Sequence, residues 1–203
     1  GAVVFHTGQR NRKLAETNQK SAGSELEQVQ GFPIAAIVFE RGFDIDGLLG
    51  GICQTAVKAG INVGGLIQET RGGIGGCAQS VHVVDIQSGE KFDIWEDRGR
   101  EARGCRLDEE GLIVSARILD KAVRDKVDLL IINRFGRAEG LGRGLVGSFA
   151  QALEAGIPLL TSVREPYTDA WRQFHGGLAC ELESNRKAVD CWLAGAVLNP
   201  RTV

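Results

Sequence analysis

Short, continuous runs of apolar residues recur along the chain and are separated by more polar stretches. Runs of this length and composition are typical of strands that are buried on both faces, as in a parallel sheet. The four clearest strand predictions are residues 34–39, 61–68, 127–132 and 157–163.

Apolar positions three and four residues apart predict helices between these strands. Asp44 is a suitable N-cap for the first helix, and Gly60 and Gly156 are suitable C-terminal ends of two helices. The predicted helices cover residues 45–59 and 109–126, a segment from Leu145 to Gly156, a segment around Trp171 and residues 186–198, with a short strand at 178–182 before the last helix.

Two apolar segments at residues 80–87 and 91–95 are joined by Ser88 and Gly89, which predicts an antiparallel hairpin. The other strands alternate with helices, and this alternation predicts parallel crossover units. We therefore expect a three-layer α/β fold with a mostly parallel sheet and a small antiparallel hairpin insertion. Residues 1–30 are polar with little period and are expected to form an arm before a single domain at 31–203.

Composition narrows the classes of partner. A hydrophobic fraction of 43% and a net charge of -2 are ordinary for a soluble protein and give no reason to expect DNA or RNA. No apolar run approaches the roughly 20 residues that span a bilayer, so we expect no membrane insertion and a cytoplasmic location. Five cysteines without a CxxC spacing argue against a disulfide framework or a zinc ribbon.

Polar residues follow the predicted strands, and in a parallel sheet the carboxyl ends of the strands form the ligand-binding edge. Arginine presents a planar fork that matches phosphates and other oxyanions, so this edge predicts a site for a small anionic ligand. The alternative is that these arginines pair with neighbouring carboxylates, with Glu139 serving as a structural residue at a helix start rather than a base. The candidate ligand-binding residues are Arg41, Gln68, Arg71, Asn133, Arg134, Arg137, Glu139 and Arg164.

A weaker candidate is a soft-metal site at Cys77, His82 and Cys105, which the hairpin could bring together. Their spacing matches no zinc motif, and cysteine often serves as a small buried apolar residue. The pattern identifies neither a catalytic residue nor a cofactor.

The motif order resembles the P-loop nucleoside triphosphatases related to thermophile nucleotide phosphatases. It resembles most specifically the bacterial family called domain of unknown function 2478, over residues 33–198. The stretches that carry the resemblance are residues 34–49 at the phosphate-loop position, residues 68–73 after the second strand, NRFGRAEG from Asn133 and GCRLDEEG from Gly104. The resemblance implies a P-loop-like fold and, because genes of this family often lie near molybdate-transport genes, a link to molybdate.

A working phosphate loop needs a lysine and a hydroxyl residue, and residues 40–51 contain neither but include Asp44 and Asp46. Where the resemblance implies a metal-holding Asp-Glu pair, this chain has Asn133 and Arg134. We therefore expect a non-hydrolytic binding or accessory protein for an oxyanion, such as molybdate, or for a nucleotide-like anion. The alternatives are a nucleoside triphosphatase or phosphotransferase with an unusual loop, and a scaffold that forms homo-oligomers or binds a partner protein.

Overall fold

The computed structural model describes residues 31–71, 80–93, 95–96, 106–107 and 109–198. The strands are β1 (Ile34–Val38), β2 (Val63–Arg71), β3 (Ser80–Asp85), β4 (Lys91–Asp93), β5 (Trp95–Glu96), β6 (Arg106–Leu107), β7 (Leu129–Ile132), β8 (Leu159–Val163) and β9 (Ala179–Glu183). The helices are α1 (Ile45–Lys58), α2 (Glu109–Arg124), α3 (Arg137–Gly140), α4 (Val146–Glu154), α5 (Thr168–His175) and α6 (Arg186–Leu193), which continues as a π-helical turn (Ala194–Leu198).

Seven strands form one sheet in the order β4-β3-β2-β7-β8-β1-β9. The strands from β2 to β9 in this order run parallel, and β3 and β4 add an antiparallel hairpin at one edge. The predicted α/β fold and its hairpin are thus confirmed. The pairing of β5 with β6 and the short helix α3 were not predicted, because segments of two to four residues carry too little periodicity.

Helices cover both faces of the sheet. In β1, Ile34 and Ala36 face one apolar core while Ala35 and Ile37 face the other, which explains the continuous apolar run. The first core contains residues of α2, α4 and α5, and the second contains residues of α1 and α6. The carboxyl ends of β1, β7 and β8 therefore point towards one edge, where the connecting loops begin.

An aromatic cluster fills the first core beside that edge. Phe135 lies three residues after the end of β7, and its ring centroid is 5.5 Å from that of Phe149 and 5.2 Å from that of Trp171. Phe135, Phe149 and Trp171 are each no more than 1% exposed. The cluster fixes the start of the loop that follows β7, since Phe135 cannot move without opening the core.

His175, at the end of α5, is buried next to Trp171. Its Nδ1 atom accepts hydrogen bonds from the backbone amides of Gly177 at 3.1 Å and Ala179 at 3.3 Å. Since Nδ1 is an acceptor, the neutral ring carries its proton on Nε2, which has no partner among the described residues. Burial lowers the pKa of His175 most, while Glu181 raises it and Arg172 lowers it.

The wild type is expected to lose thermal stability on mild acidification, and the His175→Asn variant is expected to lose less. Because the pKa of His175 is lower in the folded state, the unfolded chain binds the proton first as the pH falls below about 6.5. The stabilisation from the neutral ring is therefore complete above that pH and is lost below it. Asparagine offers an acceptor oxygen near the position of Nδ1 but does not titrate.

The measurement is the melting temperature of both proteins between about pH 7.5 and about pH 5.5, where few other groups titrate. Equal losses in the two proteins would show that His175 contributes nothing to this pH dependence.

Candidate functional site

The end of β7 lies at the centre of the carboxyl edge. Asn133 is 6% exposed, and its Oδ1 accepts a hydrogen bond from the backbone amide of Gln68 at 3.0 Å. Its Nδ2 donates to Gln68 Oε1 at 2.9 Å and to Asp46 Oδ1 at 3.0 Å. Ser162 Oγ donates to the Asn133 carbonyl at 2.6 Å. Asn133 therefore ties β2, β8 and the start of α1 to the end of β7.

Arg134 follows and points towards the first turn of α1. Its Nη2 lies 3.5 Å from Asp46 Oδ1, at the long end of a hydrogen bond, and its side chain is 37% exposed. Its Nε is buried without an acceptor among the described residues. The guanidinium also lies over the Phe39 ring, 5.3 Å from the ring centroid.

The charge of Arg134 is only partly compensated. Burial lowers the pKa of Arg134 most, the carboxylate of Asp46 raises it, and the nearby cation of Arg164 lowers it. Arg164 follows β8, and its Nη1 donates to the Glu165 carbonyl at 3.3 Å but forms no ion pair with a described residue. Arg134 and Arg164 thus repel each other. Arg134 has one long ion pair, with Asp46, and Arg164 has none with a described residue.

An open cleft of about 1280 Å³ includes Arg164 in its lining. Its walls come from the segments after β1, β8 and β9, including Phe39, Arg41 and Arg164. Four carboxylates also line it, those of Glu40, Glu165, Glu181 and Glu183. Glu181 is paired with Arg172 at 2.7 Å, Glu165 accepts from the Thr168 hydroxyl, and Glu183 accepts from the Asn185 amide. The cations that line the cleft are Arg41 and Arg164, and Arg134 lies outside its lining.

The start of α1 differs from a phosphate-binding loop. Asp44 caps the helix, and its Oδ1 accepts a hydrogen bond from the Gly47 amide at 2.9 Å. A Cβ atom at Gly47 would lie 2.2 Å from Asp44 Oδ2, so a side chain there would displace the capping carboxylate. The position where a phosphate would meet the helix amides already holds a carboxylate of the chain itself.

Glu139 has a structural role in the loop between β7 and α4. Its Oε2 accepts from the Gly136 amide and its Oε1 from the Leu145 amide, both at 3.0 Å. A Cβ atom at Gly144 would lie 2.4 Å from Glu139 Oε1, so this glycine leaves room for the carboxylate. The interpretation of Glu139 as a helix-start residue agrees with this geometry.

The other predicted ligand-binding residues differ in how they relate to Asn133 and Arg134. Arg41 and Arg137 are exposed and form no ion pair with any residue that the structure describes. The backbone of Arg71 ends β2, and its side chain lies outside the described part. Gln68 binds Asn133 through both its backbone amide and its side chain. The structure therefore brings together Gln68, Asn133, Arg134 and Arg164, and adds two residues absent from the predicted ligand set, Asp46 and Phe39.

The metal prediction is largely outside the described residues, since Cys77 and Cys105 both fall there and His82 lies on β3. Within the described ranges, no group of three or more His, Cys, Asp or Glu side chains is arranged to hold a metal ion. Among the same residues, no helix is both long and apolar enough to cross a membrane.

A family model described as protein of unknown function (DUF2478) matches residues 34–192. This span includes the whole seven-stranded sheet and also Asn133, Arg134 and Arg164. The chain belongs to the DUF2478 family. This match confirms the family to which the sequence motifs pointed.

A curated relative is the molybdenum import ATP-binding protein ModC 2 of Bradyrhizobium diazoefficiens, 35% identical over 159 residues. The match covers 78% of this DUF2478 chain but spans only 18% of the relative's length.

Two solved structures share the fold. A human cancer-related nucleoside triphosphatase is 15% identical with a TM-score of 0.59, and the match covers 83% of this chain and 98% of that one. THEP1 from Aquifex aeolicus is 14% identical with a TM-score of 0.57, and the match covers 77% and 92% of the two chains. At these identities the likeness establishes the P-loop NTPase-like fold of this DUF2478 protein.

Proposed function

We propose that this protein is a non-hydrolytic accessory protein that binds an oxyanion or a small phosphorylated molecule at Arg134 and Arg164. The observation that carries the proposal is the pair of neighbouring arginines whose charge is only partly compensated. Holding two like charges together, one of them half-buried, costs free energy in the empty protein. A bound anion would recover this cost by accepting hydrogen bonds from both guanidinium groups.

The same cluster argues against metal-dependent hydrolysis. In P-loop enzymes a hydroxyl at the helix start and a carboxylate at the strand end hold Mg²⁺. Here the carboxylate, that of Asp46, is on the helix instead of at the strand end. The residues that follow the strand are the neutral Asn133 and the cationic Arg134. A direct ion pair takes the place of a metal bridge, and an arginine at this point would repel a divalent cation.

The accessory role is supported by the matched relative, whose name is that of a molybdenum import ATP-binding protein. The segment similar to this chain is a small part of that longer protein. We propose that proteins of this kind sense an anion beside such an importer. A nucleoside triphosphatase activity and a scaffold role are the competing functions.

The test is a thermal-shift panel with phosphate, sulfate, molybdate, tungstate, ATP and ADP. A ligand at a hundredfold excess over its dissociation constant stabilises the folded state by about 2.7 kcal/mol, which corresponds to a shift of roughly 5–10 °C for a domain of this size. Arg134→Ala and Arg164→Ala are each expected to weaken the binding about tenfold or more, because each removes a charge-assisted hydrogen bond.

Arg124→Ala is the matched control, since Arg124 is an exposed arginine at the end of α2, near the opposite edge of the sheet. It should retain the full shift. The proposal is wrong if no anion stabilises the wild type, or if Arg124→Ala weakens binding as much as Arg134→Ala. Release of phosphate from ATP or GTP that depends on Arg134 would favour the enzyme. A stable oligomer without any shift would favour the scaffold.

A further inference from the structure

Asp46 places a carboxylate beside the guanidinium on which the anion site depends. Its Oδ1 accepts from Asn133 Nδ2 at 3.0 Å and lies 3.5 Å from Arg134 Nη2. Its Oδ2 accepts no hydrogen bond from any residue in the described ranges. The side chain of Asp46 is 20% exposed and that of Arg134 is 37% exposed. A ligand bound to the exposed part of Arg134 can therefore also contact Asp46.

A carboxylate in an anion site discriminates by the protonation of the ligand. An oxyanion without a proton offers only acceptor oxygens, which the carboxylate repels in a partly dry site. An oxyanion that keeps a hydroxyl can donate it to the carboxylate while its other oxygens accept from arginine. At about pH 7 inorganic phosphate keeps at least one proton, whereas sulfate and molybdate keep none.

We propose that Asp46 makes this site selective for an oxyanion that carries its own proton, such as hydrogen phosphate, over sulfate and molybdate. The inference rests on the proposed function, because it concerns the same two arginines. It also separates the ligand from the molybdenum association of the relative. The molybdenum in the relative's name then does not imply that molybdate binds at Arg134 of this chain.

The test is calorimetric titration of phosphate, sulfate and molybdate into the wild type and the Asp46→Asn variant at about pH 7. The wild type is expected to bind phosphate about tenfold or more tightly than sulfate, the effect of one charge-assisted hydrogen bond. In Asp46→Asn this ratio is expected to fall about tenfold, because the amide no longer repels sulfate and molybdate and can donate to them. Asp46→Ser removes the same charge and should shift the ratio in the same direction.

Asp44→Asn is the matched control. It removes the same charge from the same helix end, and asparagine caps a helix as well as aspartate does. It should retain the wild-type ratio, because Asp44 binds the Gly47 amide and not Arg134.

An unchanged ratio in Asp46→Asn, or an equal change in Asp44→Asn, would overturn the role of Asp46 while leaving the anion site in place. A wild type that prefers sulfate or molybdate would overturn it as well. Failure of both the wild type and Asp46→Asn to bind any anion would instead refute the proposed function and this inference with it.

Discussion

Gly65→Ala is expected to lower the free energy of unfolding by about 3 kcal/mol or more, since it combines backbone strain with a steric clash. Gly65 lies in β2 with a φ of +111°, a conformation that residues with a side chain rarely adopt. A Cβ atom there would lie 2.0 Å from the backbone oxygen of Ile131 on β7, and neither strand can move without breaking the parallel pairing. Urea denaturation measures the loss.

Two glycine variants serve as controls. Gly89→Ala tests positive φ alone, because Gly89 has a φ of +73° and a Cβ atom there would have no neighbour within 4 Å, and it should cost about 1 kcal/mol. Gly50→Ala lies in α1 with open space around it and should be neutral or slightly stabilising. A Gly65→Ala loss no larger than that of Gly89→Ala would contradict the clash with Ile131.

Trp171→Ala is expected to cost about 3–5 kcal/mol, the range for removing a large buried aromatic side chain. Trp171 is 0% exposed and contacts Phe135, Phe149 and Phe174 through its ring. Trp171→Phe should cost much less, because it keeps an aromatic ring and removes an indole Nε1 that has no acceptor among the described residues.

The measurement is again urea denaturation, with Leu141→Ala as the control because Leu141 is 58% exposed. Leu141→Ala should change stability by no more than about 0.5 kcal/mol. A Trp171→Ala loss below about 1 kcal/mol would show that the aromatic cluster does not hold the carboxyl edge.

The fold could be predicted from the sequence because its strands are buried on both faces. The apolar run that forms β7 and the cap at Asp44 are local signals, and each predicts an element close to its observed bounds. Gly65 carries no such signal, since the need for glycine arises from the approach of Ile131 on a neighbouring strand. The pairing of β5 with β6 was missed because its strands are only two residues long.

The candidate site was predicted in part. The topology brings Asn133, Arg134 and Arg164 to one edge, as the order of strands and helices implied. The sequence showed that Asp46 places an unfavourable charge at the phosphate-loop position. It did not predict that Asp46 contacts Asn133 and Arg134. Asp46 and Arg134 are 88 residues apart in the chain, and their contact depends on how α1 packs against the end of β7. A single sequence holds no local signal for a pairing of that kind.

Anion binding at this edge is proposed to depend on arginines and not on a metal. Calorimetric titration of phosphate into the wild type and into Arg134→Ala, each with and without Mg²⁺, tests this most directly. We expect the wild type to bind phosphate equally well in both conditions and Arg134→Ala to bind about tenfold more weakly or worse. Binding that requires Mg²⁺ and is unaffected by Arg134→Ala would contradict the proposal.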